Sequence, residues 1–416
     1  TQNPQLLAAL QQYADGDRLG ADPVIEEILR AENMAIDAAA MAAANRVKAA
    51  KLRRLATLRL EMKDRGEKTT ADLVAIWQEV LDLDPRDHWG WVELRRLYQE
   101  AGRLDKARYA AEQALGEAAD DRARSVSLDE LGDVLVAAGD LVGARGRYAE
   151  ALAVATKLAK DNPASAEAQR DLSVSYNKLG DVLVAAGDLA GARGRYEEAL
   201  AVRTKLAKDN PASAAAQRDL SVSYIKLGNV LVAAGDLAGA RGRYAEALAV
   251  ATKLAKDNPA SAEAQRDLSV SYDKLGDVLV AAGDLAGARG RYAEALAVDT
   301  KLAKDNPPSA EAQRDLSVSY TKLGDVALEG GNHAHAADFY RKSLLIMEPL
   351  VLRDKSNAAA DRSIMAIYLR MGKATGERTW LEKALQVLEK LEEERRIFPA
   401  DRETLEALRK TLKGQE

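Results

Sequence analysis

The sequence predicts an all-α fold, a solenoid of stacked helical hairpins, on the basis of three observations. A unit of 48 residues recurs from Asp171, Asp219, Asp267 and Asp315, almost unchanged in the first three copies and drifting in the last. Within the first three of these units, a Gly-Asp pair separates two apolar stripes at helical spacing. Aromatic residues make up only 5% of the 416 residues, whereas alanine is abundant, which favours close packing of helices. Because one hairpin cannot bury both of its stripes, the units must stack on one another.

The N-terminal segment, residues 1–45, is expected to be helical and to act as a cap or as a degenerate repeat. Asp22 is the predicted N-cap of a helix in this segment. The chain opens on Thr1 rather than on Met, which favours a processed protein or a part of a longer one.

Residues 46–118 are expected to form two shorter hairpins. In the first, Arg46–Met62 and Thr70–Asp84 carry helical stripes, and Pro85 ends the second of these helices. In the other hairpin, Asp87–Leu115, the apolar residues in helical register are Trp91, Leu94, Tyr98, Ala107, Ala111 and Ala114.

Residues 119–350 contain the long repeats. The apolar stripe on the first helix of one copy consists of Leu172, Tyr176, Leu179, Leu183 and Ala186. Gly187 suits the left-handed residue that follows a helix, and Asp188 can cap the next helix. The sequence KDNPAS (Lys208–Ser213) is expected to end the second helix, because the residue before a proline avoids the helical conformation.

Residues 351–416 are expected to form a C-terminal hairpin and a capping helix. The hairpin combines Ser356–Lys373 with Thr379–Arg396, and the polar segment Asp401–Leu412 closes the array.

The order of residues within a hairpin resembles the tetratricopeptide (TPR) repeat. The matching residues are Tyr176, Leu179, Gly180, Leu183, Ala192, Tyr196 and Ala199. The long unit exceeds the usual length of about 34 residues by about 14, which corresponds to two additional turns on each helix. The resemblance implies a right-handed superhelix that binds proteins. The phrase QRDLSVSY is similar to bacterial TPR arrays that are often joined to signalling or effector domains.

Composition and motifs argue against several other functions. The formal net charge of −5 and the pI near 5.6 do not favour nucleic acid, and no apolar run reaches the roughly 20 residues of a membrane span. His88 is expected to pack at a helix start, while His333 and His335 diverge by about 200° on a helix and cannot share a metal. We therefore expect a cytoplasmic protein that is not an enzyme and uses no cofactor and no metal.

Glycine and arginine recur inside the second helix of each long repeat. Gly191 and Gly194 do not have the spacing of a phosphate-binding loop, and our hypothesis for both is close approach of a neighbouring helix. Arg193 and Arg195 are interpreted as a solvated helix face on which Glu198 pairs with the second arginine, rather than as a nucleic-acid surface.

The residue that follows the tyrosine of each first helix varies, whereas the apolar stripe does not. By resemblance to TPR proteins, residues one, five and eight positions after this tyrosine line the concave groove and bind a partner. The predicted set is Asn177, Asp181, Val184, Ile225, Asn229, Val232, Asp273, Asp277, Val280, Thr321 and Asp325, with Leu328 as its last member. Drift at a solvent-exposed position is the competing explanation for the variation.

These patterns favour a non-catalytic scaffold that binds a partner protein or peptide in bacterial signalling or defence. One alternative is the regulatory or sensor arm of a larger effector enzyme. Another is a self-assembling solenoid, since nearly identical units allow exchange between copies and a homo-oligomer.

Overall fold

The computed structural model describes residues 4–31 and 38–413, which form nineteen α-helices and no strand. The helices are α1 (Pro4–Ala14), α2 (Arg18–Ala31), α3 (Ala38–Asp64), α4 (Thr70–Leu83), α5 (His88–Glu100), α6 (Leu104–Gly116), α7 (Asp121–Ala137), α8 (Leu141–Asp161), α9 (Ala166–Ala185), α10 (Leu189–Asp209), α11 (Ala214–Ala233), α12 (Leu237–Asp257), α13 (Ala262–Ala281), α14 (Leu285–Asp305), α15 (Ala310–Glu329), α16 (His333–Arg353), α17 (Ala358–Thr375), α18 (Arg378–Glu393) and α19 (Pro399–Lys413). The expectation for residues 1–3, 32–37 and 414–416 lies outside the described residues.

The helices pack in antiparallel pairs, and each pair stacks on the next, which confirms the predicted hairpin solenoid. From α5 to α17, the first helices of neighbouring hairpins also contact one another, and they do so more extensively than the second helices. The first helices therefore line the inner surface of the solenoid, and the second helices form its outer surface.

The long repeats differ from the short ones in helix length, as the sequence predicts. Helices α9 and α10 contain 20 and 21 residues, whereas α5 and α6 contain 13 each. The additional turns extend both helices at the end away from the tight turn that joins them. The turn itself forms as expected: Gly187 has a φ of 81°, and the Asp188 carboxylate accepts the backbone N–H of Gly191 at 2.9 Å.

A glycine on the first helix makes room for a tyrosine on the second. A Cβ at Gly180 would overlap the ring of Tyr196, and the same holds for the corresponding glycine of each long repeat. The short hairpin α5/α6 reverses this arrangement, because Arg95 occupies the glycine position and Ala111 the tyrosine position. Arg95 is buried and forms an ion pair with Glu130 of α7.

The glycines of the second helix do not act as the sequence led us to expect. A Cβ at Gly191 would meet only the capping carboxylate of Asp188, and a Cβ at Gly194 would meet nothing within 4 Å. The hypothesis of close helix approach is therefore wrong for Gly194, because there is open space beside this position of the second helix.

Asp22 is not the N-cap of α2, because the helix begins at Arg18 and the carboxylate of Asp17 accepts the backbone N–H of Gly20 at 3.0 Å. Asp22 is buried against α3 instead, where Arg59 donates to both of its carboxylate oxygens at 2.8 Å. Helices α1 and α2 thus cover the start of the solenoid.

The two ends of the solenoid meet. The hydroxyl and the backbone N–H of Thr70, at the start of α4, donate to Asp354 at 2.7 and 2.9 Å. Arg396 donates to the carbonyl oxygen of Ala101 at 2.9 Å, and Leu104 packs against the apolar cluster that contains Phe398. The solenoid therefore closes into one turn in which the early hairpins contact the C-terminal helices.

Candidate binding surface

The inner surface repeats a similar set of side chains in the long repeats, and these side chains lie on one face of each first helix. In α9, Arg170, Val174, Lys178 and Asp181 are spaced by four, four and three residues, which places them on one side of the helix. The valines of successive repeats form a stripe, which we call the valine stripe: Val126, Val174, Val222, Val270 and Val318. Val270 and Val318 are 39% and 43% exposed. The sequence analysis missed this stripe, although the four-residue spacing between Arg170, Val174 and Lys178 signals it.

On one side of the valine stripe, an arginine of each long repeat pairs with an aspartate of the next repeat. The pairs are Arg122–Asp171 at 2.7 Å, Arg170–Asp219 at 2.5 Å, Arg218–Asp267 at 2.9 Å and Arg266–Asp315 at 2.6 Å. Exposed pairs of this kind each contribute about 0–1 kcal/mol, but together they fix the register between repeats.

On the other side of the stripe, an aspartate joins a tyrosine of its own hairpin to a lysine of the next. Asp181 accepts from Tyr196 Oη at 2.7 Å and from Lys226 Nζ at 2.6 Å. The corresponding aspartates are Asp133, Asp277 and Asp325, the last of which takes Arg370 in place of lysine.

The aspartates on this side of the stripe (Asp133, Asp181, Asp277 and Asp325) form a row with their tyrosine and lysine or arginine partners. The ionisation of these aspartates depends on those contacts. Burial disfavours ionisation of Asp277, but Lys322 and the hydrogen bonds to Lys322 and Tyr292 outweigh it and hold its pKa below the ordinary value. The row is interrupted at Asn229, which accepts from Tyr244 at 2.8 Å. The lysine that would face it, Lys274, turns to Asp277 of its own helix at 3.5 Å.

The predicted groove residues one position after the tyrosine lie inside the hairpins. Asn177 is only 6% exposed, and with its amide turned so that the oxygen faces Arg203, that oxygen accepts from Arg203 Nη1 at 3.0 Å. The Thr321 hydroxyl donates to the carbonyl oxygen of Ser317 at 2.9 Å, and Ile225 packs against an apolar cluster. These side chains fill the junction between the two helices of a hairpin and the first helix of the next.

A second position of the repeat varies at the same junction, and the sequence analysis overlooked it. The residue is Ala155 in α8, Arg203 in α10, Ala251 in α12 and Asp299 in α14. Each hairpin therefore has its own buried pair, which is Asn177 with Arg203, Ile225 with Ala251, and Asp273 with Asp299. Aligning the second helices of the copies would have revealed this position.

Two of these junctions hold carboxyl groups without full hydrogen bonding. One oxygen each of Asp129, Asp273 and Asp299 lacks a hydrogen-bond partner among the described residues. Burial raises the pKa of Asp129 to about 7, and burial together with the neighbouring Asp299 does the same for Asp273. The side chains of Ser175 and Ser319 donate to Asp129 and Asp299 at 3.1 and 2.6 Å.

The remaining predicted groove residues lie closer to the core than to the inner surface. Val184, Val232 and Val280 are half-buried and pack against the apolar clusters of their hairpins. Among the predicted residues, the aspartates that border the valine stripe are the ones at the inner surface: Asp181, Asp277 and Asp325, with Asn229 at the corresponding position.

The arginines of the outer helices behave as the sequence predicts. Arg195 pairs with Glu198 at 2.7 Å, and the same pair, three residues apart, recurs at Arg147–Glu150, Arg243–Glu246 and Arg291–Glu294. These pairs confirm the interpretation as a solvated helix face.

The histidines lie in separate environments. His88 is buried, and its Nε2 lies 2.7 Å from the hydroxyl of Ser127. His333 and His335 are exposed on the first turn of α16. Within the part of the chain that the structure describes, no group of three or more His, Cys, Asp or Glu residues is arranged to hold a metal ion.

A helical-hairpin solenoid with glycine–tyrosine contacts and an inner surface formed by first helices defines an α-helical repeat protein. The chain belongs to the tetratricopeptide repeat family: the family model matches residues 131–189, 177–238, 232–286 and 274–351, which together make up more than half of the chain. TPR repeats typically bind proteins or peptides. No curated protein sequence is significantly similar to this chain.

Several solved structures are similar in fold. BtubC from P. vanneervenii is 20% identical, with 61% of this chain and 91% of that chain covered and a TM-score of 0.44. A STAND protein with a tetratricopeptide repeat sensor from Pyrococcus horikoshii is 14% identical, with coverages of 91% and 54% and a TM-score of 0.45. This chain thus spans about half the length of the STAND protein. A Rap protein complexed with competence and sporulation factor is 14% identical, with coverages of 89% and 98% and a TM-score of 0.46.

None of the described helices combines the length and the apolar character that crossing a membrane requires.

Proposed function

We propose that this chain is a non-catalytic scaffold whose inner surface holds an extended or helical segment of a partner protein. The valine stripe is the observation that carries the proposal, because it places one valine per long repeat, half-buried in the first three and exposed at Val270 and Val318, between charged side chains. Most of the charged residues on both sides of the stripe pair with one another, with Arg314 beside Val318 as an exception, which leaves the valines as the groups that gain most from being covered.

The predicted groove residues divide into two roles within this proposal. Asp181, Asp277 and Asp325 border the stripe and accept hydrogen bonds from the partner. The residues at the hairpin junction, such as the buried Asn177 and the half-buried Thr321, act by holding the inner helices in place. The resemblance of the repeated phrase to bacterial arrays favours a role in cytoplasmic signalling or defence.

A selection from a library of displayed random peptides tests the proposal directly, because it does not depend on knowing the partner. We expect enriched peptides with apolar residues at regular spacing. Binding of these peptides should weaken at least about tenfold when Val270→Asp and Val318→Asp are combined, since each buried apolar side chain contributes about 1.5–3 kcal/mol.

The matched control carries the same charge change on the outer surface, at two exposed alanines that follow the same repeat spacing. Ala249→Asp combined with Ala297→Asp should leave binding unchanged. Equal loss of binding in both double variants, or retention by the valine variant, would place the interface elsewhere and contradict the proposal.

Self-association is a second candidate function, favoured by one departure of α16 from the repeat. Leu345 and Leu352 are 73% and 68% exposed, whereas the other long repeats carry alanine and lysine at these positions. Restoring the repeat with Leu345→Ala and Leu352→Lys should convert any oligomer to a monomer, as measured by light scattering at two concentrations. A wild-type mass that equals the monomer at both concentrations contradicts this candidate.

A further inference from the structure

The junction between the two ends of the solenoid encloses a cavity of about 400 Å³. Its wall comes from α3 and the segment that follows it, the end of α5, the start of α15, the end of α16 and the start of α17. A volume of this size is within the range of small-molecule sites in proteins. Apolar atoms of Leu60, Met347 and Leu350 form part of the wall, and charged side chains form most of the rest.

Two departures from the repeat make this wall more positive: Arg314 lacks the aspartate partner of its equivalents, and Arg353 takes the place of an aspartate. In the four preceding copies, the residue equivalent to Arg314 pairs with an aspartate of the next repeat, but α17 has Ser363 at the aspartate position. Arg353 replaces an aspartate: the equivalent residues of the earlier copies are Asp161, Asp209, Asp257 and Asp305.

Neither of these guanidinium groups has a carboxylate partner among the described residues. Arg314 has no hydrogen bond or ion pair there, and Arg353 makes one long contact, 3.4 Å, with the carbonyl oxygen of Arg65. Guanidinium groups bind oxyanions in a two-point geometry, so a pair of unengaged arginines in one cavity is a suitable binding site for an anion.

None of the four carboxylates in the wall pairs with these arginines: Glu100 and Glu311 pair with other cations, whereas Asp64 and Asp354 accept hydrogen bonds from neutral donors and keep their negative charge. Their partners are the backbone N–H of Glu311 at 2.9 Å for Asp64, Lys63 at 2.5 Å and Asn357 at 2.6 Å for Glu100, Arg266 at 2.8 Å for Glu311, and Thr70 at 2.7 Å for Asp354. The remaining lysine of the wall, Lys68, pairs with Asp22 at 2.6 Å.

We propose that this cavity binds a small anionic molecule through a phosphate or carboxylate group held by Arg314 and Arg353. Since the cavity is formed by both ends of the solenoid, the bound anion stabilises the closed turn. This site lies beside one end of the valine stripe, because Arg314 precedes Val318 by four residues on α15, but its test does not involve a partner protein.

Calorimetric titration of the full chain with inorganic pyrophosphate and with citrate, at constant ionic strength, tests the proposal. We expect saturable binding of at least one of the two probes with a Kd below about 1 mM. Preference for pyrophosphate assigns a phosphate ligand, and preference for citrate assigns a carboxylate. Arg314→Gln and Arg353→Gln should each weaken binding about tenfold or more.

Two further variants separate a site from general electrostatics and from misfolding. Ser363→Asp restores the aspartate of the repeat, so it should engage Arg314 and weaken binding about tenfold without removing any positive charge. Arg170→Gln removes the same arginine position from a repeat outside the cavity and should have no effect. No saturable binding up to about 10 mM of either probe, or equal loss with Arg170→Gln, overturns the proposal.

Discussion

The hairpins α11/α12 and α13/α14 are natural variants of one another. Their helices differ at four positions: Ala215/Glu263, Ile225/Asp273, Asn229/Asp277 and Ala251/Asp299. Two of these four changes meet in the buried junction, where one hairpin has an apolar pair and its neighbour has two carboxyl groups. Sequence variation among the copies therefore alters the ionisation and the stability of the core, and not only the inner surface.

The largest expected effect comes from converting one hairpin into the other. Asp273→Ile combined with Asp299→Ala should stabilise the chain at pH 8 by about 3 kcal/mol, because buried carboxylates are replaced by a combination that the fold already accommodates. Denaturant unfolding followed by circular dichroism measures this change. Glu263→Ala, the exposed difference between the hairpins, is the control and should change stability by less than about 0.5 kcal/mol.

The pH dependence of this gain identifies its cause. An unfolded aspartate titrates near 3.8, whereas burial, with a contribution from Asp299, raises the pKa of folded Asp273 to about 7. The folded state therefore binds more protons between about pH 4 and 7, and wild-type stability falls as the pH rises through this interval. The charged groups that face this pair are Lys274, Asp277, Lys322, Arg266 and Asp315. The double variant should gain clearly less at pH 5 than at pH 8, and an equal gain at both would contradict ionisation as the cause.

Glycines at two positions of the repeat should respond in opposite directions, and the larger response is at the first helix. Gly276→Ala should destabilise by about 2 kcal/mol, because its Cβ would overlap the ring of Tyr292 and force it to move. The decrease should disappear when Tyr292→Ala is already present. A decrease that persists in this background would show that the ring is not the obstacle.

The second-helix glycine provides the matched opposite case. Gly290→Ala should stabilise by about 0.5–1 kcal/mol, since a Cβ there meets nothing within 4 Å and alanine is the better helix former. Thermal unfolding monitored by circular dichroism measures the increase. A lower melting temperature would show that the fold needs the open space beside Gly290, between neighbouring outer helices.

These two glycines also show how far the sequence alone can be taken. The repeat length, the ends of the helices in the long repeats and the turn at Gly187 are local properties, and the sequence predicts them correctly, whereas it places the starts of α2 and α3 too late. Gly276 and Gly290 look alike in sequence, but their roles depend on which side of each helix faces a neighbour.

The same limit explains why Asn177 was expected in the groove. The resemblance supplies its position in the repeat, but Arg203, which covers it, comes from another helix. The closure of the two ends depends on contacts nearly 300 residues apart, such as Thr70 with Asp354, and no local pattern encodes them.

The smallest expected effect concerns the interrupted row beside the valine stripe. Asn229→Asp makes α11 match α13 at this position and gives Lys274 a carboxylate on the neighbouring hairpin, as Lys226 has in Asp181. The tyrosine bond is retained, because Tyr244 can donate to either side chain. We expect a gain of about 0.5 kcal/mol that decreases in high salt, since the new pair is half exposed. Asp181→Asn, which creates the same interruption one hairpin earlier, should lose a similar amount with the same salt dependence. A gain that does not respond to salt would mean that the aspartate acts through packing, and the row would then contribute little to the attachment of one repeat to the next.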